Sequence, residues 1–152
     1  MAALQHRPNT LVVVALGVRG ATLPEDIFVP PNARVADYIP FDEILPYSSV
    51  FLTNGGYGSF QHGMSNGTPM VVGGAGEDKP EVSARVEWCG LGINMKTGKP
   101  TQEQILQGVD EVIKNPKYRK RAKELEAEMA TFDPMSVITN NIDELAALKG
   151  GK

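Results

Sequence analysis

The sequence predicts an α/β fold in which a parallel sheet carries helices on both faces and the carboxyl-terminal region is helical. Three observations lead to this prediction. Short apolar runs alternate with helix-compatible segments over the first two thirds of the chain. A glycine-rich turn links one of these runs to a helix, and amphipathic helical segments fill the last third. Such alternation is typical of parallel strands joined by crossover helices.

Five segments are predicted to be strands. Residues 10–16 form a continuous valine-rich run, as expected of a strand that is covered on both faces. Residues 33–39 alternate and stop at Pro40. The other three strand candidates are residues 49–53, 69–72 and 93–95. Residues 17–32 contain three prolines and are expected to form an irregular, exposed connection.

Helical signals separate and follow these strands. Residues 41–46 and 59–65 suit short helices, and Pro80 occupies a favourable first-turn position for a helix through Cys89. One face of that helix is apolar and consists of Val82, Val86 and Cys89. Trp88 lies off this face and is expected to be half-buried. Three further helices are predicted, which begin at the capping box Thr101-Gln-Glu-Gln104, at Asn115-Pro116 and after Asp133-Pro134.

Length and composition narrow the function classes. A chain of 152 residues fits one domain with one core. The net charge of −3, without long single-sign runs, argues against a nucleic-acid or anionic-membrane surface. One cysteine and two histidines provide no metal-ligand cluster, and a lone cysteine suits a reducing, cytoplasmic setting. No apolar run approaches membrane-spanning length.

The glycine turn Asn54-Gly-Gly-Tyr-Gly-Ser59 is the strongest functional signal. A strand, a glycine turn and a helix together aim free backbone N–H groups at a phosphate. The acidic residues Glu77 and Asp78 follow the next strand, and carboxyl ends of parallel strands share one rim. Both motifs are therefore expected to serve one ligand. The alternatives are a purely structural turn and, for the two acids, favourable charge at a helix N-terminus.

From about residue 35 to residue 95, the chain resembles the donor-binding half of GT-B nucleotide-sugar glycosyltransferases, in particular the UDP-glycosyltransferase and macrolide-transferase group. The order and spacing of several short motifs carry this resemblance. The motifs are Tyr38-Ile-Pro40, Glu43-Ile-Leu45, Thr53-Asn-Gly-Gly-Tyr-Gly-Ser59, Asn66-Gly-Thr-Pro69, Gly76-Glu-Asp-Lys-Pro80, Ala84-Arg-Val86 and Gly90-Leu-Gly92.

The resemblance implies that residues 1–152 form a single Rossmann-like nucleotide-sugar-binding domain, the C-terminal domain of a GT-B enzyme without its first strand. It also implies a site for a UDP-sugar, which is the donor substrate, and no cofactor or metal. The implied diphosphate-binding residues are Asn54, Gly55, Gly56, Tyr57, Gly58 and Ser59. The implied nucleoside-binding residues are Tyr38, Ile39, Pro40 and His62, and the implied sugar-binding residues are Glu77, Asp78 and Lys79.

Three positions depart from the family pattern. Asn54 stands where the family often has histidine, so a protonated cation is not available to the diphosphate there. His62 stands where a glutamate frequently binds the ribose, and it is also compatible with a merely packed residue. Lys79 replaces the glutamine of a common Asp-Gln pair, which leaves the sugar preference open.

The implied activity is transfer of a hexose, with inversion, to a small lipophilic acceptor. The acceptor pocket and the general-base histidine of the family belong to an N-terminal domain, so no catalytic residue is assigned in this chain. We expect the chain to bind donor but not to complete transfer alone. The alternatives are a donor-binding subunit of a two-chain glycosyltransferase, whose partner supplies the acceptor site, and a non-catalytic nucleotide-binding or interaction remnant.

Overall fold

The computed structural model describes residues 1–149, and the five predicted strands are all present within them. The strands are short, with three or four residues each. They are Val12–Ala15 (β1), Ala33–Ala36 (β2), Phe51–Thr53 (β3), Met70–Val72 (β4) and Gly92–Asn94 (β5). Each lies inside or within one residue of its predicted segment, because apolar runs bounded by prolines and glycines mark strands well.

Six α-helices occupy the predicted helical regions of the described chain. They are Phe41–Ile44 (α1), Tyr57–Ser65 (α2), Lys79–Trp88 (α3), Gln102–Lys114 (α4), Pro116–Met129 (α5) and Pro134–Lys149 (α6). The predicted capping box is confirmed at α4, where the Thr101 hydroxyl accepts from Gln104 N at 3.2 Å and Gln104 Oε1 accepts from Thr101 N at 2.9 Å. None of the helices in residues 1–149 combines the length and the apolar character needed to span a bilayer.

All strand pairs are parallel, but the strands form two sheets rather than one. β1 pairs with β2, and β3, β4 and β5 form a second sheet in that order. The predicted parallel strands are thus present as one pair and one triplet. The helices nevertheless lie on both faces of the β3–β5 sheet, as predicted.

Two apolar clusters flank the buried strand β4. Met70 and Val72 pack on one face with residues of α2, α3 and α5. Val71 packs on the other face with Val109 and Val112 of α4 and with Leu4 of the amino-terminal 3₁₀ turn. All three residues of β4 are fully buried, as expected of a parallel strand covered on both faces.

Two surface features differ from expectation. Trp88 is 89% exposed rather than half-buried, because α3 turns its Val82 and Val86 side towards the core and Trp88 away from it. The predicted apolar positions of α6 are present, yet Ile138, Ile142 and Leu145 are all exposed. Periodicity therefore identified the helix but not what its apolar side contacts.

Arg119 of α5 connects elements that are distant in sequence. Its guanidinium donates to the carbonyls of Ser48 and Ser49 before β3, at 2.7 and 2.8 Å, and to that of Gly67 before β4, at 3.0 Å. Partial burial lowers the pKa of Arg119, although the group stays charged. These bonds hold the entrances of β3 and β4 against α5.

Asp42 connects α1 to the end of α2. One carboxylate oxygen accepts from Asn66 Nδ2 and from His62 Nδ1, both at 2.8 Å. The Asn66 amide and then the His62 imidazole hold the pKa of Asp42 below its ordinary value of 3.8. Because an ionised carboxylate only accepts hydrogen bonds, Nδ1 of His62 is the donor in this pair.

We expect Arg119→Ala to lower the free energy of unfolding by about 2–3 kcal/mol, because two partly buried carbonyls and one exposed carbonyl lose their charged donor. Lys120→Ala, at the exposed neighbouring position of α5, is the control and should change it by less than about 0.5 kcal/mol. Urea denaturation followed by circular dichroism measures both. Equal values for the two variants would show that Arg119 does not hold the strand entrances.

We also expect Asp42→Ala to destabilise the chain in a pH-dependent way. Because the folded pKa of Asp42 is lowered, its contribution is fully present above the unfolded value of 3.8 and is lost as pH falls through the folded value. The difference in free energy of unfolding between wild type and variant should therefore shrink below about pH 4. In an Asn66→Ala background, Asp42→Ala should lower the free energy of unfolding by less at neutral pH, because the Asn66–Asp42 hydrogen bond is already lost. An equal loss in both backgrounds would rule out a stabilising role of this bond.

Candidate functional site

The glycine turn joins the end of β3 directly to the start of α2. Gly55 has a φ of +77°, which favours glycine, and a Cβ there would collide with the hydroxyl of Ser83. Asn54 Oδ1 accepts a hydrogen bond from Gly56 N at 3.4 Å, so the Asn54 side chain bends back over its own turn. The turn therefore has a fixed shape that depends on the absence of side chains.

The amino-terminal end of α2 is open. Gly56 is the N-cap and provides no side chain to bond the first turn, so the N–H groups of Tyr57, Gly58 and Ser59 have no intrahelical acceptor. The Ser59 hydroxyl oxygen accepts from Thr53 Oγ1 at 3.1 Å, which leaves its own hydrogen available to donate. An added Cβ at Gly58 would meet no atom within 4 Å, so the space beside this turn is free.

The turn after β4 lies against the glycine turn. Gly73 N donates to Thr53 O at 3.2 Å. A Cβ at Gly74 would collide with the carbonyl of Asn54 and lie 2.6 Å from Cβ of Lys79. The expected meeting of the two motifs at one rim is therefore present in the structure. Since α3 begins at Lys79, the positive ends of α2 and α3 both lie at this rim.

The acidic cluster contains an internal ion pair. Lys79 Nζ bonds Glu77 Oε2, which lowers the pKa of Glu77 and raises that of Lys79. Asp78 is the N-cap of α3, but its carboxylate makes no capping bond. Acidic residues are favourable at the start of α3, yet the Asp78 carboxylate makes no hydrogen bond to the first turn of that helix.

The segment predicted to bind the nucleoside lies beside α2. Pro40 is the N-cap of α1, so Tyr38 and Ile39 immediately precede that helix. The ring of Phe41 packs edge-on against the imidazole of His62, with 5.4 Å between centroids. Tyr38 is itself 44% exposed. The structure thus brings His62 next to the 38–40 segment, and the nucleoside-binding roles of these residues stay a prediction.

Sequence reasoning missed three supporting residues. Asp42, which holds His62, gave no signal, because the two are twenty positions apart. Thr53 ends the predicted strand, and its hydroxyl bond to Ser59 was not foreseen. Gly74 had a signal, since two glycines in succession after a buried strand indicate close backbone approach.

Other features fall outside this rim. The turn Asn66-Gly-Thr-Pro69 is buried, with the Thr68 hydroxyl donating to Leu45 O at 2.6 Å, and it supports α2 rather than facing a ligand. A cavity of about 370 Å³ lies near Gly90 and Gly92. These residues lie at the amino-terminal end of β5, whereas the glycine turn lies at the carboxyl ends of the strands. The described residues contain no group of three or more metal-ligating side chains.

Known relatives resemble the chain over nearly its whole length. UDP-glucosyltransferase 1 of Beauveria bassiana is 49% identical over 148 residues, which are 97% of this chain and 32% of that protein. UDP-glucosyltransferase A1 of Starmerella bombicola is 44% identical over 145 residues, which are 95% of this chain and 31% of that protein. The chain therefore spans about a third of the length of these relatives.

Solved structures of glycosyltransferases share the fold of this chain. The glycosyltransferase of kitacinnamycin superposes with a TM-score of 0.73 at 27% identity, over 85% of this chain and 33% of that one. The spinosyn rhamnosyltransferase SpnG superposes with a TM-score of 0.77 at 19% identity, over 93% of this chain and 38% of that one. At this identity the likeness supports the fold alone. The fold is thus that of the C-terminal domain of GT-B glycosyltransferases.

The family model described as erythromycin biosynthesis protein CIII-like, C-terminal domain, matches residues 9–145, which include both motifs of the rim. On this match and on the relatives above, the chain belongs to the EryCIII-like C-terminal domain family of UDP-glycosyltransferase homologues.

Proposed function

We propose that this chain binds the UDP-sugar donor of an inverting hexosyltransferase. The observation that carries the proposal is the meeting of the two helix N-termini at one rim, where α2 begins without a side-chain cap. Free N–H groups and two positive helix ends make a site for an anionic group. Relatives that are named UDP-glucosyltransferases provide the class of that group.

The diphosphate would lie over the first turn of α2. The N–H groups of Tyr57, Gly58 and Ser59 and the Ser59 hydroxyl would donate to phosphate oxygens. Negative charge grows on the diphosphate as the sugar departs, so fixed donors at this place stabilise the transition state. Asn54 bonds Gly56 N and would act by holding the turn rather than by supplying charge.

The sugar would lie towards α3. Asp78 offers a carboxylate that the helix does not use, suited to accepting hydrogen bonds from sugar hydroxyls. Lys79 already has an anionic partner in Glu77, so the pair acts as a neutral unit with polar atoms. A neutral hexose therefore suits this side of the site better than an acidic sugar.

The nucleoside would lie between the 38–40 segment and His62. With Nδ1 donating to Asp42, a neutral His62 has Nε2 as an acceptor, which suits a ribose hydroxyl. Asp42 would position the ring rather than touch the ligand. One similar structure, that of VinC, was solved in complex with dTDP, so a deoxyribose donor is the natural competitor to test.

The whole reaction would also use parts of the relatives that lie outside the matched region. An acceptor hydroxyl, deprotonated by a base outside the chain, would attack the anomeric carbon as the bond to the UDP oxygen breaks, and UDP would leave with inversion. The N-terminal acceptor domain of the relatives, or a partner chain that supplies it, would provide that base and the acceptor pocket. The described surface favours no particular acceptor within the small lipophilic class.

Calorimetric titration with UDP, dTDP and UDP-glucose tests the proposal and separates its rivals. Binding of UDP or UDP-glucose by the chain alone would support a donor-binding role. This holds whether the acceptor domain belongs to the same protein or to a partner chain. Tighter binding of dTDP than of UDP would change the nucleotide while keeping the site. Absence of binding at millimolar concentration would leave the non-catalytic interaction remnant as the better reading.

Gly58 allows a graded test of the diphosphate position. Alanine and leucine both favour helices more than glycine does, and a Cβ at this position meets no atom, so neither Gly58→Ala nor Gly58→Leu should destabilise the chain. UDP affinity should nevertheless fall stepwise, by roughly tenfold or more for leucine, because bulk enters the space beside the free N–H groups.

Ser65→Ala, at the far end of the same helix, is the matched control and should bind UDP like wild type. Calorimetry measures affinity, and thermal melting confirms the fold of each variant. Wild-type UDP affinity in Gly58→Leu would place the diphosphate somewhere else.

Asp78→Ala should separate sugar binding from nucleotide binding. Because Asp78 is assigned to sugar hydroxyls, the variant should weaken UDP-glucose several-fold, by about 1 kcal/mol for a lost hydrogen bond, and leave UDP unchanged. Glu81→Ala, one turn further into α3, is the control, since Glu81 pairs with Arg85. Equal loss for UDP and UDP-glucose would contradict the sugar role of Asp78.

A further inference from the structure

The connection 17–32 begins beside the 38–40 segment. β1 and β2 are parallel, with Ala15 opposite Ala36, and Leu16 N donates to Ala36 O at 2.9 Å. Because parallel strands in register end together, the residues that follow them start side by side. The connection that was expected to be merely irregular and exposed therefore starts next to the segment that would receive the nucleoside.

Asp37 bonds the connection and the 38–40 segment at the same time. Its Oδ2 accepts from Gly20 N at 2.7 Å, and its Oδ1 accepts from Tyr38 N at 2.8 Å. The bond from Gly20 and then that from Tyr38 lower the pKa of Asp37, so the carboxylate is ionised at neutral pH and only accepts. Gly20 has a φ of +80°, which favours glycine. One carboxylate thus fixes the position of this turn relative to Tyr38.

The same turn brings Arg19 over the ring of Tyr38. The guanidinium carbon lies 4.6 Å from the ring centroid, inside the range of a cation–π contact. A planar guanidinium can lie flat on an aromatic face. Tyr38 nevertheless stays 44% exposed. A ring that is held on one face and is still this exposed can offer its other face to a planar ligand.

We propose that Arg19 and Asp37 are positioning residues for the nucleobase of the donor and that both act through Tyr38. Arg19 would hold one face of the Tyr38 ring, the base would stack on the other, and Asp37 would keep the two segments together. The inference rests on the proposed function, because it needs a nucleotide beside the 38–40 segment. It adds to the site a connection that the sequence marked only as irregular.

The Arg19–Tyr38 platform lies on the side of α2 where the nucleoside is expected. Tyr38 is followed closely by α1, and Phe41 of α1 packs against the His62 ring of α2, with 5.4 Å between centroids. A nucleotide with its diphosphate at the first turn of α2 and its ribose at His62 would therefore direct its base towards this platform.

Stacking implies a particular pattern of specificity. Every base has a π face, so the platform adds affinity without distinguishing uracil from thymine. Removal of Arg19 should therefore weaken UDP and dTDP by the same factor. Discrimination between the two nucleotides would come from the ribose, which is expected at His62.

A double-mutant cycle tests whether Arg19 acts through Tyr38. Calorimetry measures UDP affinity in Arg19→Ala, in Tyr38→Ala and in the double variant. Tyr38→Ala should weaken UDP roughly tenfold, because a stacked base loses its partner. Arg19→Ala should weaken UDP roughly threefold in wild type, but by less than about 1.5-fold in the Tyr38→Ala background. An equal loss in both backgrounds would overturn the positioning role, since Arg19 would then attract the charged nucleotide directly.

Two further variants of the connection complete the cycle. Arg19→Lys keeps a cation above the ring and should lose less UDP affinity than Arg19→Ala. Glu25→Ala, at an exposed position of the same connection, is the matched control and should bind UDP like wild type. Thermal melting confirms the fold of each variant.

Substitutions of Asp37 test how the platform is held. Asp37→Ala releases both segments and should weaken UDP by at least roughly threefold, as Arg19→Ala does. Asp37→Asn keeps one carbonyl oxygen and so one of the two bonds, and its UDP affinity should lie between those of wild type and Asp37→Ala. Wild-type UDP affinity in Asp37→Ala would overturn the role assigned to this carboxylate.

Nuclear magnetic resonance of bound UDP separates this inference from the proposed function. Stacking on an aromatic ring shifts the two ring-proton resonances of uracil upfield. The shift should be present in wild type, smaller in Arg19→Ala and in Asp37→Ala, and absent in Tyr38→Ala. Binding of UDP to wild type without an upfield shift would overturn the platform alone. Absence of UDP binding to wild type would overturn the proposed function and this inference together.

Discussion

The contact between the turns that follow β3 and β4 determines the geometry of the whole rim. Gly73 N–H donates to Thr53 O, and Gly74 lies so close to the Asn54 carbonyl that no side chain fits between them. Because α2 and α3 begin within a few residues of these turns, the same contact brings their positive ends together. The proposed anion site at this rim would therefore be a consequence of parallel pairing in register, with glycine at the point of closest approach.

The direction of α2 is set from its other end. The buried turn Asn66–Pro69 anchors the last residues of the helix, and Arg119 and Asp42 bond that region to α5 and α1. None of these groups lies at the glycine turn, yet each restricts the line along which the first N–H groups of α2 point. Residues remote from the glycine turn thus fix the orientation of the helix whose first N–H groups the proposed site would use.

The sequence was sufficient to predict the strands, the helices and the capping box, because period, glycine and proline placement and caps are local properties. The parallel topology also indicated that the turns after β3 and β4 meet at one rim, because carboxyl ends of parallel strands share it. The Asp42–His62 bond was not predictable, since it joins positions that only the packing of α1 on α2 brings together. Trp88 was misjudged for a related reason: an aromatic side chain suggests burial, but exposure depends on what covers that face of α3.

The charges at the rim determine how the proposed donor site would work. Asn54 bonds its own turn and Lys79 is bonded to Glu77, so neither side chain offers a free cation to a diphosphate at this place. Backbone N–H groups and helix ends would then provide the stabilisation. These dipoles do not titrate, so the donors of the proposed diphosphate site would stay unchanged across the pH range in which a histidine would lose its charge.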